Sequence, residues 1–329
     1  MADILEKMTI YIEPDMLIVG NQASANFAAP VFPEYSFNWV IDELDEFDKR
    51  SGDSFQVAEE TKARLRVLQD YWQGKTHQDE VLTNLPQINR LAEKQGVLHR
   101  GGISMSGDGH IIPNHDFVLE VGYGGMRDIA KQHLAEDQDL TEEQTDFYQA
   151  VIITMDAALH YCKRFSLLAK EEAEKTADAK RRNELLTMSE MFAHLMEGKA
   201  QSFYEAVETV YLTHLLMMIE SNGHSFSFGR FDQYIWPFYE ADINSGKISK
   251  EKALEILTHF FIMTNSLNKV RPWGHTQYSG GYPLYSNLMV GGMKPDGTDG
   301  TNDLSYLSLE AMALTGLPEP NLSVRFSKD

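Results

Sequence analysis

The chain has one cysteine in 329 residues, which excludes a disulfide framework as the source of stability. No apolar run approaches the roughly 20 residues that a membrane helix needs. The first residues, with Asp3, Glu6 and Lys7 among them, lack the basic start and apolar stretch of a secretory signal. Positive charge is scarce: 29 Lys and Arg stand against 49 Asp and Glu, a formal net charge of -20. A field of that sign repels phosphates and so speaks against nucleic acid or an anionic membrane as partner. These absences make a cytoplasmic location the default expectation. There is also no linker rich in Pro, Gly or Ser, no internal repeat and no low-complexity tract, so residues 1–329 are read as one domain.

Periodicity predicts mostly helix. Apolar residues recur at three- and four-residue spacing over Trp39 to Lys49, Ala58 to Trp72, Glu142 to Lys170, Ala179 to Met196, Phe203 to Ile219 and Lys250 to Asn268, with Thr141 and Ser249 as N-caps. A further helix is expected from Asn302 or Asp303. Strand signals are fewer: Thr9 to Ile12, Leu17 to Val19, Leu284 to Val290 and Asn321 to Phe326. Cys162 lies inside a helical pattern and reads as a small buried hydrophobe. The charged run from Lys170 to Arg182 reads as a solvated helix face.

The most informative stretch is Ile219 to Tyr234, where an apolar helix gives way abruptly to Ser221-Asn222-Gly223-His224-Ser225-Phe226-Ser227-Phe228-Gly229-Arg230-Phe231-Asp232. Asn222-Gly223 is expected to end the helix with a left-handed cap. An imidazole, hydroxyls, a guanidinium and a carboxylate interleaved with aromatic rings suit a pocket for a small polar molecule. The same residues also allow a plainer account, with Arg230 and Asp232 as a structural ion pair and His224 as a core histidine. Residue chemistry alone leaves both open.

A second polar loop, Ser104-Met105-Ser106-Gly107-Asp108-Gly109-His110, has no zinc or calcium spacing even with His115 included. The run Asp296 to Asp303 lacks the glutamate of a calcium loop, since Ser308 falls at the twelfth position. It reads as a turn leading into a helix. The glycine pairs at 280–281 and 291–292 are followed by no phosphate-binding pattern, so no nucleotide site is assigned.

Taken in order, several blocks resemble the glycyl radical enzymes, in particular the pyruvate formate-lyase-like group that includes diol and glycerol dehydratases and choline lyase. They are Leu17-Ile18-Val19-Gly20-Asn21-Gln22, Ala29 to Tyr35, Tyr71-Trp72-Gln73-Gly74-Lys75-Thr76, Ser106 to His110, Ile219 to Tyr234, Gly280 to Asn287, Gly291-Gly292, Asp296-Gly297, Thr301 to Tyr306 and Pro320-Asn321-Leu322-Ser323-Val324-Arg325. The resemblance implies a predominantly helical α/β fold, part of a ten-stranded α/β barrel with outer helices. It also implies a partial domain over 1–329, cut at both ends, because the family's radical-bearing cysteine, its neighbouring glutamate and the glycyl loop have no counterpart here.

The activity so implied is that of a lyase or dehydratase acting on a small hydroxylated substrate by thiyl-radical hydrogen abstraction. The alternatives are a formate acetyltransferase and a non-catalytic truncated partner protein. The resemblance assigns substrate contacts to Asp108, His110, His224, Ser225 and Phe228, and loop-bracing roles to Arg230 and Asp232. It implies no bound metal or other cofactor in this chain, and a glycyl radical installed in the full-length enzyme by a radical S-adenosylmethionine activating enzyme. The expected partners are the small substrate, that activating enzyme and a second copy of the full-length chain.

Overall fold

A computed structural model describes residues 1–98, 109–221, 223–277 and 284–326. The helices are α1 (Ala2–Lys7), α2 (Asn38–Glu43), α3 (Glu59–Trp72), α4 (His77–Asn84), α5 (Gln87–Lys94), α6 (His115–Glu136), α7 (Glu142–Lys175), α8 (Ala179–Glu197), α9 (Phe203–Glu220), α10 (Phe231–Tyr234), α11 (Trp236–Asn244), α12 (Lys250–Ser266), α13 (Trp273–Thr276) and α14 (Asp303–Thr315). Three strands, β1 (Gly229–Arg230), β2 (Asn287–Gly291) and β3 (Asn321–Arg325), form a parallel sheet in that order.

Local chemistry explains most of the boundaries. Thr141 and Gln144 close a reciprocal cap on α7, Ser249 accepts from the Lys252 amide, and Asn302 with Ser305 caps α14. Helix α9 is buried almost all round, as a central helix must be. It lies against α12 and α11, with α6 beside it, while α7 and α8 form a long antiparallel pair. The main core gathers Tyr161, Phe165, Phe192, Tyr211, Phe228 and Phe260 among others, and a smaller cluster joins Phe37, Val40, Leu44 and Phe47 to Val270.

Several sequence expectations need correction. Trp39 to Lys49 is not one helix: α2 stops at Glu43, and a short 3-10 turn at Phe47–Lys49 follows. The α12 helix ends at Ser266, so Asn268 is outside it. Neither Thr9 to Ile12 nor Leu17 to Val19 is a strand. The amides of Leu17, Val19 and Asn21 are taken by the side chains of His259, Glu208 and Tyr161, so the segment has no ladder to join. The long helix α6 was not anticipated because Gly122, Gly124 and Gly125 interrupt its pattern, and the helix is kinked at Gly122, where φ is 69°.

Candidate functional site

Four chain segments run side by side in parallel. Gly109 and His224 form a bridge, and the His110 amide donates to the His224 carbonyl at 2.8 Å. The Ser227 amide donates to the Ile111 carbonyl at 3.0 Å, and the Ser225 amide to the Leu284 carbonyl at 2.9 Å. On the far side Asn287 pairs with Asn321 in register. The segments at 109–112, 223–230, 284–291 and 321–325 therefore place His110, His224 and Tyr285 at their starts, along one end of the sheet.

That end holds the candidate site. The His110 and His224 rings meet edge to face with centroids 5.4 Å apart, and His224 lies 5.8 Å from the Tyr285 ring. His110, Ser225 and Tyr285 all adopt left-handed backbone angles, with φ of 60°, 56° and 57°. Non-glycine residues in that region carry strain of the order of 1 kcal/mol or more, and such strain concentrates at binding sites. The expected left-handed cap at Asn222-Gly223 is not what ends α9. Ser221 caps it in an extended conformation, and Asn222 lies outside the described residues. Glycine is required at 223 for space, since a Cβ there would sit 2.6 Å from the Phe226 ring and 2.8 Å from the Met218 sulfur.

Charges converge on this rim from the segment between α12 and α13. The Lys269 Nζ, buried, donates to the Gly223 carbonyl at 3.2 Å. Arg271 is buried too, and its carbonyl accepts from Arg50 Nη1 at 2.9 Å. Arg50 pairs with Glu43, which also accepts from the Trp273 amide at 2.9 Å. Asn268 bonds the Phe27 carbonyl at 2.8 Å, and its own carbonyl accepts from Gln22 at 2.6 Å. Glu319, at the entrance to β3, accepts from the Tyr285 and Ser286 amides at 2.8 and 2.9 Å.

The electrostatics follow from burial. Burial, then the charges of Lys269, Arg271, His110 and His275, lower His224 to about 4. Burial and then Arg271 bring Lys269 down to about 7. Burial raises Glu319 to about 6 against its amide donors and Arg271, and raises Asp53 against the pull of Arg271. At neutral pH the rim therefore presents a neutral imidazole, one nitrogen able to donate and the other to accept, beside the Arg271 cation, on which Asp53 and Glu319 act, and a Lys269 poised between its charged and neutral forms.

The sequence-derived residues separate as follows. His110, His224 and Ser225 are brought together. Asp108 lies outside the described residues. Phe228 has a fully buried ring, 4.5 Å from His214 and 5.0 Å from Phe260, so it packs against the helices beneath the rim. Arg230 and Asp232 bond separate partners in the loop from β2 to α14, and not each other. Arg230 donates to the carbonyls of Met293 and Gly291, while the buried Asp232 accepts from the Gly291 amide at 2.6 Å and from the Ser305 hydroxyl. In the Asp296 to Asp303 turn, Asp296 and Asp299 accept from Thr298 and Thr301.

Lys269, Arg271, Tyr285 and Glu319 were not anticipated as site residues. The signal available was two cations in Asn268-Lys269-Val270-Arg271, directly after an apolar helix. Cys162 is buried, with its thiol pushed up to about 12 by burial. Among the described residues no cluster of three or more His, Cys, Asp and Glu is arranged for a metal, and no helix is long and apolar enough to cross a membrane.

With this geometry in hand, comparison with known proteins is specific. Residues 1–329 match the family described as Pyruvate formate lyase-like. The chain is 37% identical to the probable dehydratase YbiW of Escherichia coli strain K12 and 32% identical to the (2S)-3-sulfopropanediol dehydratase of Klebsiella oxytoca, in each case over 99% of this chain and 41% of the relative. It superposes on the glycerol-bound B12-independent glycerol dehydratase from Clostridium butyricum with a TM-score of 0.94 and 39% identity, covering 99% of this chain and 41% of that one. The chain thus spans about two fifths of the length of the proteins it matches.

Proposed function

Because the chain belongs to the pyruvate formate lyase-like family, we propose that it supplies one wall of the pocket of a glycyl radical dehydratase or lyase acting on a small hydroxylated substrate. The observation that carries the proposal is the meeting of His110 and His224 at the ends of adjacent parallel segments, with the second imidazole held neutral. A neutral imidazole with the Ser225 hydroxyl beside it can bond a substrate hydroxyl and the group that leaves. Asp108 belongs to the same loop as His110 and is included in the proposal on that ground. In a water-excluded pocket each such bond is worth roughly 1–3 kcal/mol, enough to select among small polyols.

The glycyl radical, installed by a radical S-adenosylmethionine activating enzyme, would supply hydrogen abstraction through a cysteine thiyl. This chain's cysteine does not fit that part, since Cys162 is packed inside α7 away from solvent. The role of these residues is accordingly to bind, orient and exclude water, while the radical relay and a dimer interface belong to the longer enzyme. The test is made in the polypeptide that joins this segment to the radical-bearing region, with glycerol, 1,2-propanediol and isethionate as probes. His224→Ala should lower kcat/KM by about 10²-fold or more while the glycyl radical signal in electron paramagnetic resonance stays at full intensity. Near-normal turnover by the variant would refute the assignment.

A further inference from the structure

The cation-bearing segment Asn268 to Arg271 has been given no role in binding so far, yet it is fixed with unusual thoroughness. Asn268 is tied at its carbonyl by Gln22 and at its amide group to Phe27, and its Oδ1 accepts from the Lys269 amide at 2.8 Å. Val270 is packed into the small core with Phe37, Val40 and Phe47. The Arg271 carbonyl is held by Arg50, itself anchored to Glu43. A backbone fixed at so many points can hold a long side chain in one place, and the buried Lys269 side chain ends at the Gly223 carbonyl, one residue before His224.

We propose that Lys269 is a positioning residue for His224: its buried amine fixes the Gly223 carbonyl and, in its protonated form, places a positive charge beside the imidazole that opposes a second proton there, so that His224 meets its ligand as a neutral hydrogen-bonding group. The inference rests on the reading of His224 as a substrate contact given above. The groups that bear on His224 come from every neighbouring segment. Lys269 and Arg271 approach from the segment after α12, His275 from α13, His110 from the adjoining parallel segment and Tyr285 from the residues leading into β2. Among the described residues, the charged members of that set are cationic or become so on protonation. The carboxylates of Asp53 and Glu319 act on Arg271, one step further back. A second proton on His224 is therefore opposed by its surroundings, and Lys269 is the member of the set that also fixes the main chain next to it.

Two functions of one side chain can be separated by substitution. Lys269→Gln keeps a donor for the Gly223 carbonyl and removes the charge, whereas Lys269→Arg keeps the charge. The chain is labelled with 15N-histidine, and the His224 ring signals are identified by their loss in His224→Gln. Ring nitrogen shifts are then followed from pH 7.5 down to pH 5. The wild-type His224 should stay neutral throughout, as should Lys269→Arg. In Lys269→Gln the protonation midpoint should rise by about half a unit to one unit and protonation should begin inside the range. A wild-type His224 that gains its second proton near the ordinary value of 6.5 would overturn the proposal without recourse to any variant. So would a Lys269→Gln chain whose His224 titration does not move. Because the readout is the imidazole itself, failure here is distinguishable from failure of the turnover test of His224→Ala.

Discussion

The His110 amide and the His224 carbonyl are joined by a 2.8 Å hydrogen bond, and this bond, between segments far apart in sequence, is what brings two imidazoles to one rim. It depends on close backbone approach, because a Cβ at Gly109 would lie 2.6 Å from the His224 carbonyl oxygen. Main chain on both sides leaves little room to yield.

Gly109→Ala is therefore expected to break the bridge. The loss should be about 1–3 kcal/mol in urea unfolding, accompanied by disappearance of nuclear Overhauser contacts between the two imidazoles. Retention of both stability and contacts would show that the approach is less close than described.

A second expectation concerns acid. His115 is buried against Tyr234 and Phe228, neither ring nitrogen has a hydrogen-bond partner among the described residues, and burial lowers it to about 4. Between its ordinary value of 6.5 and about 4 the unfolded chain binds a proton there that the folded chain does not. Its contribution is thus intact above pH 6.5 and declines as pH falls toward 4. At pH 5 the decline amounts to roughly 2 kcal/mol. His115→Phe should remove this loss, so that the stability difference between pH 7 and pH 5 shrinks by about that amount. An unchanged pH dependence would contradict the burial of a neutral ring.

Asp232 provides a third test. It accepts from the Gly291 amide at 2.6 Å, from the Ser305 hydroxyl and from Gln233 at 2.9 Å. Asp232→Ala would leave the buried Gly291 amide and Ser305 hydroxyl without this acceptor, at a cost of about 3 kcal/mol, and Asp232→Asn should lose less. Chemical denaturation of the three proteins measures both. A loss below about 1 kcal/mol in the alanine variant would show that the loop is braced elsewhere.

A fourth follows from the exposed apolar groups around the sheet's last strand. Val324 is 59% exposed and Phe326 85%, in and just after a strand that has a paired neighbour on only one side among the described residues. Such an edge invites association. The purified chain should bind a hydrophobic dye, and Val324→Lys should reduce both dye binding and concentration-dependent association. A chain that is monomeric and dye-silent would contradict it.

How much of this was legible in the sequence depends on where the relevant contacts come from. The major helices and the caps at Thr141 and Ser249 are local matters, and they could be read directly. His224 and Ser225 stood out because a sharp change from apolar to polar residues needs no tertiary knowledge. Phe228, named among the site residues, lies in the core beneath the rim, because aromatic residues next to a site and aromatic residues beneath it look the same in one dimension. Lys269 and Glu319 were missed because their importance comes from the Gly223 carbonyl and the Tyr285 and Ser286 amides, partners that only folding supplies. The strands expected at 9–12 and 17–19 failed for a related reason: β-branched residues signal extended chain, but whether the amides find a ladder or side chains such as Glu208 is settled elsewhere in the molecule.

The left-handed residues at the rim have a consequence for how this protein could change over time. Ser225 would be relieved of strain by glycine, by about 1 kcal/mol, and the same holds for His110 and Tyr285. Selection for robustness alone would push all three toward glycine and erase the side chains that meet at the rim. Their presence in a costly conformation marks positions where fitness and thermostability pull in opposite directions, so a library enriched only for heat resistance should lose these side chains before it loses any residue of the buried core.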